Sequence, residues 1–397
     1  MISRRALIGS ALSLPFVVRE ACAAEVDPGI SPTEIKLGQT TAYSGPVSGA
    51  GSYKKVQAAF FAKLNAEGGI SGRKVSLISL DDAYSPPKTV EATRRLVEGD
   101  EVFAMFNSFG TPTQSAVLRY LNVKKVPQLF VSSGAARFND PKNAPWTTPG
   151  IPDLHKVGVM YAQFIIAKHP DAKIAVLYQN DDFGKDSLKG IKDGLGAAKQ
   201  SLLISEAAYD VTQPTIDSQI VTLKASGADA LINLTTGRFT VQSIKRMHEI
   251  GWRPIHVVHG SFGTIYETFR PVGLDICKGI YSSAFVKDPA DLQWEGDQEM
   301  RAYFDFMKSH VPDIEAQNRT ALSSFVSAQV MAHVIEQAGK NPTRESLLQA
   351  ALTLDNPKIT SLLMPGVQMK TSNENRYLFS NEVMAQFDGR IWNQLAA

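Results

Sequence analysis

From Ile35 onward, short apolar runs alternate with stretches whose apolar residues recur at helical spacing, and this rhythm limits the folds open to the chain more than any single motif does. IKLGQT (35–40), KVSLISL (74–80), VFAMF (102–106) and QLFV (128–131) read as strands. Between the first two, Val56, Phe60 and Leu64 fall four apart and make one buried helix stripe. A further helix begins after Pro86-Pro87 and another from Thr113. Strand and helix in strict alternation predict an α/β fold, a parallel sheet with helices on both faces.

The rhythm breaks at NDPKNAPWTTP (139–149), too rich in Pro and Asn for the interior of an element. It resumes with IAVLY (174–178), LLISEA (202–207), ALINL (230–234), a helix carrying Val241, Ile244, Met247 and Ile250, and IHVV (255–258). Two similar lobes in tandem suit a chain of 397 residues, too long for one ordinary core. Residues 297–352 read as mainly helical, with Phe304, Met307, Phe325, Val330 and Val334 in the core. Residues 365–392 carry Pro-Gly and Asp-Gly turn signals around short apolar segments and predict a hairpin. A tail this long has to cross back and complete both lobes.

The opening MISRRALIGSALSLPFVVREACAAEV has a basic start, an apolar run from Ala6 to Val18 and a small-residue end, so residues 1–24 are expected to be an export signal. Ser-Arg-Arg-Ala-Leu-Ile (3–8) resembles a twin-arginine signal, although ordinary secretory signals also start with two basic residues. Cys22 follows Arg19-Glu20-Ala21 and lacks the apolar neighbour of a lipoprotein site; Ala-Cys-Ala (21–23) suits cleavage to a soluble protein. Cys277 is then the one remaining thiol, which leaves no internal disulfide and no Cys-type metal site. Removing residues 1–24, with three arginines and one glutamate, takes the formal net charge from +2 to 0. A neutral chain argues against nucleic acid or an anionic membrane as partner. No later apolar run is long enough to span a bilayer, so no direct membrane insertion is expected.

Enzyme signatures fail one by one. Gly49-Ala50-Gly51 runs into Ser52-Tyr53-Lys54 and lacks the final glycine of a dinucleotide fingerprint, and Gly184-Lys185 continues to Asp186 instead of a phosphate-loop hydroxyl. His256 and His259 sit three apart in a strand and point to opposite faces, a poor start for a metal site. No Gly-x-Ser-x-Gly elbow exists. The expectation is therefore a non-enzyme with no cofactor and no metal.

What remains is a set of loops of one character at the strand ends: YSGPVSGAGS (43–52), NSFGTPT (107–113), SSGAA (132–136), QNDDFG (179–184), TTGR (235–238) and HGSFG (259–263). Ligands of open α/β sheets bind beyond the carboxyl ends of the strands. Ser, Thr and Gly leave backbone N–H groups approachable there, and the helix N-termini behind them favour negative charge. One such loop alone is equally a helix cap and start. Six of them facing each other across two lobes favour a site for a small carboxylate.

On IKLGQTTAYSGP, NAEGGISGRKV, LDDAYSPPK, NSFGTPTQ, VSSGAARF, IAVLYQNDDFGKD and LKASGADA, the chain resembles the periplasmic substrate-binding proteins of ABC importers, specifically the leucine/isoleucine/valine-binding protein family. The resemblance runs from about Glu34 to the C-terminus. It implies two Rossmann-like lobes of the type I periplasmic binding protein kind, joined by three crossings and closing over a small solute. With crossings near 149, 282 and 365, lobe one is expected over 25–149 and 283–365 and lobe two over 150–282 and 366–397. It also implies a periplasmic location and delivery of the solute to membrane ABC permease subunits. A sensor on the same scaffold, without transport, is the alternative.

Carried over residue by residue, the family's carboxylate-holding positions fall on Ser108 and Ser133, with Ser132 beside it, and the hydroxyl that also helps hold the amino group falls on Ala135. The family's acidic partner of the α-ammonium falls in HGSFG, at Ser261 or Phe262, where there is no acid. An unpaired buried ammonium costs on the order of several kcal/mol. The resemblance therefore implies an aromatic or short aliphatic acid lacking the α-amine, with an amino acid as the other possibility. Phe183, Phe109, Phe262 and Tyr43 would suit such a ligand, and would equally suit ordinary core. Arg238 is either a contact for a second acidic group or a solvated helix-start residue. The family's disulfide positions fall on Tyr84 and Asn107, a departure that bears on stability and not on the ligand; Asp81-Asp82 reads as turn and cap.

Overall fold

The computed structural model describes residues 27–395. The export signal, the twin-arginine motif and Cys22 lie outside the described residues.

Five strands form the first sheet: β1 (Glu34–Thr41), β2 (Lys74–Asp81), β3 (Ala104–Phe106), β4 (Gln128–Val131) and β5 (Thr147–Pro149). They are all parallel, in the order β2-β1-β3-β4-β5. The second sheet has seven: β6 (Ile174–Gln179), β7 (Leu203–Tyr209), β8 (Ala230–Leu234), β9 (Ile255–Val258), β10 (Tyr281–Ala284), β11 (Val383–Phe387) and β12 (Trp392–Gln394), in the order β12-β11-β10-β9-β8-β6-β7. Pairing is parallel from β7 to β10 and antiparallel at β11 and β12. Each sheet heads a Rossmann-like lobe, so the fold is the expected α/β pair.

Local sequence explains these elements. QLFV in β4 and ALINL in β8 are buried at every position, as strands covered on both faces must be. The helix Ser52–Ala66 buries Val56 and rests Phe60 edge-on against Phe325 at 5.6 Å, which docks the long helix Arg319–Gln337 onto the first lobe. Two strands escape the sequence pattern. β5 is three residues inside a Pro/Asn-rich segment and sits at a sheet edge, where proline is tolerated. β10 is the short, serine-bearing YSSA.

The chain leaves the first sheet after Pro149 and passes back between Ala284 and Val286, which bridges Leu363. The last passage differs from the expected 365. Met369, Leu378 and Phe379 belong to the core of the first lobe, and Arg376 donates to the carbonyls of Ala144, Pro145 and Thr147 beside β5. Pro365-Gly366 therefore only reverses the chain within lobe one, and the crossing comes at 380–382, just before β11. The predicted hairpin shrinks to β11 and β12 around Asp388, whose carboxylate accepts the N–H groups of Arg390 and Ile391.

Candidate functional site

The carboxyl ends of both sheets open onto one cavity of ≈330 Å³. Its lobe-one wall is held by neutral groups. β3 runs into Asn107, whose backbone is left-handed at φ 47°. The Asn107 amide donates to the Phe130 carbonyl at 2.8 Å and accepts from Gln57 at 2.7 Å, and Gln57 in turn accepts from Gln39 at 2.6 Å. This buried amide relay sets the path of the next residues. Gly110 follows at φ 101°, where a Cβ would stand 2.5 Å from the Tyr84 ring, so only glycine fits. The helix Thr111–Val123 starts there with no side-chain cap. Gly110 and Thr111 line the cavity, the Thr111 hydroxyl meets that of Ser133 at 2.6 Å, and Ser132 meets Tyr53 at 2.8 Å. Uncapped N–H groups beside hydroxyls suit an anion.

Of the residues singled out in the sequence, Phe109, Ser132, Ser133, Phe183, Arg238, Ser261 and Phe262 line this cavity. Ser108, Ala135 and Tyr43 are not among its lining residues. The Ser108 hydroxyl accepts the Thr40 N–H at 3.1 Å and so splices β3 to β1. Ala135 is fully buried with Val131, Phe138 and Leu154. Tyr43 turns its hydroxyl to Ser79 and lies 5.3 Å under the Lys54 ammonium.

The lobe-two wall is aromatic and charged. Phe183, in the first turn of the helix Asp182–Lys199, packs edge-on to His259 at 4.9 Å and to Phe262 at 6.1 Å. Ser261 donates its N–H to His259 Nδ1 at 3.2 Å. Burial first, and the Arg319 charge second, hold the His259 imidazole down to about 3, so it stays neutral with its proton on Nε2. Arg238 is exposed at the mouth, where it donates to the Gln213 carbonyl at 2.9 Å and lies 4.8 Å over the Phe239 ring.

Among the lining residues that the sequence does not single out are Tyr84, Asn107, Glu267 and Arg319. Tyr84 and Asn107, which the resemblance ties to stability alone, both face the ligand space; the Tyr84 hydroxyl also accepts from Gln179 of the other lobe at 3.3 Å. HGSFG holds no acid, as read, but Glu267, in the turn Ile265–Phe269 just beyond it, brings a lobe-two carboxyl to the cavity. Its Oε1 accepts the Thr320 N–H at 3.0 Å and the Thr320 hydroxyl at 3.2 Å, while Oε2 is shut from solvent without a partner. Burial first and Asp288 second push this carboxyl above its usual range. Arg319 heads the helix Arg319–Gln337 and donates to the Gly260 carbonyl across the cleft. Nothing local marks Glu267 or Arg319, since each reads as an ordinary helix-start residue. On the opposite flank, Arg137 pairs with Asp182 at 2.8 Å and the Ala136 N–H reaches Asp186 at 2.9 Å. The lobes therefore touch on both sides of the cavity. Among the described residues no cluster of three or more His, Cys, Asp or Glu could hold a metal ion, and no helix is long and apolar enough to cross a membrane.

Two lobes of this topology around one cleft define a bilobal solute-binding protein, and the sequence agrees. Over residues 34–376 the chain matches the family model described as periplasmic binding protein, and it belongs to that family. It is 23% identical over 354 residues to the Leu/Ile/Val-binding protein homolog 7 of Brucella abortus, covering 86% of each chain. The fold is similar to that of a branched-chain amino acid ABC transporter from Thermus thermophilus with bound valine, at a TM-score of 0.80, 14% identity and coverage of 92% and 96%. It is also similar to a fatty acid ABC transporter substrate-binding protein from Thermomonospora curvata, at 0.74, 16% identity and coverage of 94% and 95%.

Proposed function

We propose that the protein is a non-enzymatic solute receptor of an ABC importer, exported to the periplasm, where it closes its lobes around a small carboxylate and presents it to the membrane permease. The observation that carries this reading is the uncapped start of the helix Thr111–Val123 at the cavity wall, with the Thr111 and Ser133 hydroxyls beside it. Those groups receive the carboxylate; Phe109, Phe183 and Phe262 cover an aromatic or short aliphatic body. The Thermus neighbour holds valine and the Thermomonospora neighbour is named for fatty acids, so the carboxylate is the element their ligands share.

Isothermal titration of wild type and Ser133→Ala with aromatic and short aliphatic acids tests the site. Loss of the hydroxyl weakens binding by about 1–3 kcal/mol with the fold intact. Equal affinity of the two proteins for every acid that binds would remove Ser133 from the carboxylate site.

A further inference from the structure

One cation stands buried against the ligand cavity. Arg319 is 5% exposed, lines the cavity, and spends an Nη2 hydrogen on the Gly260 carbonyl. Among the described residues it enters no ion pair. The acids that feel its charge are engaged elsewhere. Asp288 accepts the N–H groups of Ile265 and Ala290, each at 3.0 Å, Glu382 accepts the Ser283 hydroxyl, and Glu267 accepts from Thr320. Away from the cavity, Arg319 borders a void of only ≈10 Å³ shared with Asp288 and Asp291, room for about one water and none for a counter-ion. The guanidinium is desolvated, acids lie near enough to feel its charge but none is bonded to it, and its planar fork fits a carboxylate. Of these two spaces beside it, the ligand cavity is the one with room for such an anion.

Resting on the carboxylate reading above, the geometry points to a dicarboxylate as the solute, with one carboxylate on the Thr111 and Ser133 wall and the other held by Arg319. Arg319 is then the residue that sets specificity at the far end of the ligand. The Glu267 carboxyl on the same cavity is pushed up by burial, then by Asp288, against the pull of Thr320 and Arg319. His259, next to Gly260, is neutral and adds no competing charge.

The test is calorimetric titration with matched sets that share a spacer and differ at the far end: monoacid, diacid and ω-amino acid, as in hexanoate, adipate and aminohexanoate, or benzoate, terephthalate and aminomethylbenzoate. In wild type, the diacid of at least one set binds about tenfold or more tighter than its monoacid. Arg319→Met abolishes that advantage, so that the diacid and monoacid of a set bind within about twofold of each other. Should that variant fail to fold, Arg319→Lys replaces it and keeps only part of the advantage. Monoacids binding as tightly as diacids throughout would overturn the inference and leave the carboxylate reading standing. Tightest binding by the ω-amino acids would overturn it equally, because Glu267 would then govern the far end. If no acid of any set binds, both readings fall together.

Discussion

The two walls of the cleft are built on different principles. The lobe-one wall is a relay of neutral amides and hydroxyls, Gln39, Gln57, Asn107, Thr111 and Ser133, each satisfied by a neighbour and fixed by left-handed backbone at Asn107 and Gly110. The far wall carries Glu267 and Arg319, with Asp288 and Glu382 behind them close enough for their charges to be felt, gathered from segments far apart in the chain. A neutral, satisfied wall is rigid and insensitive to pH, whereas a buried charged wall is costly until a ligand or the opposite lobe completes it. The Thr111 and Ser133 wall is the preformed half of the site.

The largest effect should come from Gly110→Val. A side chain at φ 101° and against the Tyr84 ring displaces the start of the helix Thr111–Val123, so ligand binding is lost and stability falls by about 2–3 kcal/mol. Chemical denaturation read beside a binding titration checks both; retained affinity would mean this wall is not preformed. Next comes Asn107→Ala, which strands the Phe130 carbonyl and the Gln57 amide and lowers stability by about 2 kcal/mol.

A smaller effect separates the walls by pH. Burial raises the Glu382 carboxyl above its unfolded value of about 4.3, with Ser283 and Arg319 pulling the other way. The unfolded chain then sheds this proton first, so the contribution to stability is present below about 4.3 and is lost as pH rises toward the raised folded value. His256 and His259, held down to about 3 by burial, act oppositely, favouring the fold as pH rises from about 3 to about 6.5. Comparing melting temperatures of wild type and Glu382→Gln across that range isolates the glutamate: the variant loses less stability with rising pH. Parallel curves would contradict the charged-wall description. The smallest change, under about 1 kcal/mol, is expected for Arg137→Ala, since its pair with Asp182 is partly exposed. It should speed ligand release in stopped-flow traces and leave the melting temperature of the ligand-free protein in place.

The same contrast explains what the sequence made legible. Strand and helix alternation exposed both lobes, because buried parallel strands carry continuous apolar runs such as QLFV and ALINL. The lobe-one loops were also visible, being short, contiguous and rich in Ser, Thr and Gly. Which hydroxyl faces inward was not: Ser108 and Ser133 look alike in sequence, and only the strand register turns Ser108 onto the Thr40 N–H. The far wall was hidden because Glu267 and Arg319 meet only through tertiary packing. The third crossing was misplaced at 365 for a similar reason, since Pro365-Gly366 signals a turn without saying onto which lobe the chain returns.

The most direct measurement is a pair of calorimetric titrations of the purified protein, one with an acid that stabilises it and one with the methyl ester of that acid. The ester keeps the shape and removes the charge that the Thr111 helix start and the Ser133 hydroxyl are placed to receive. Binding of the acid with loss of about 2 kcal/mol or more for the ester is the predicted result. Equal affinity for acid and ester would contradict a carboxylate-binding cleft.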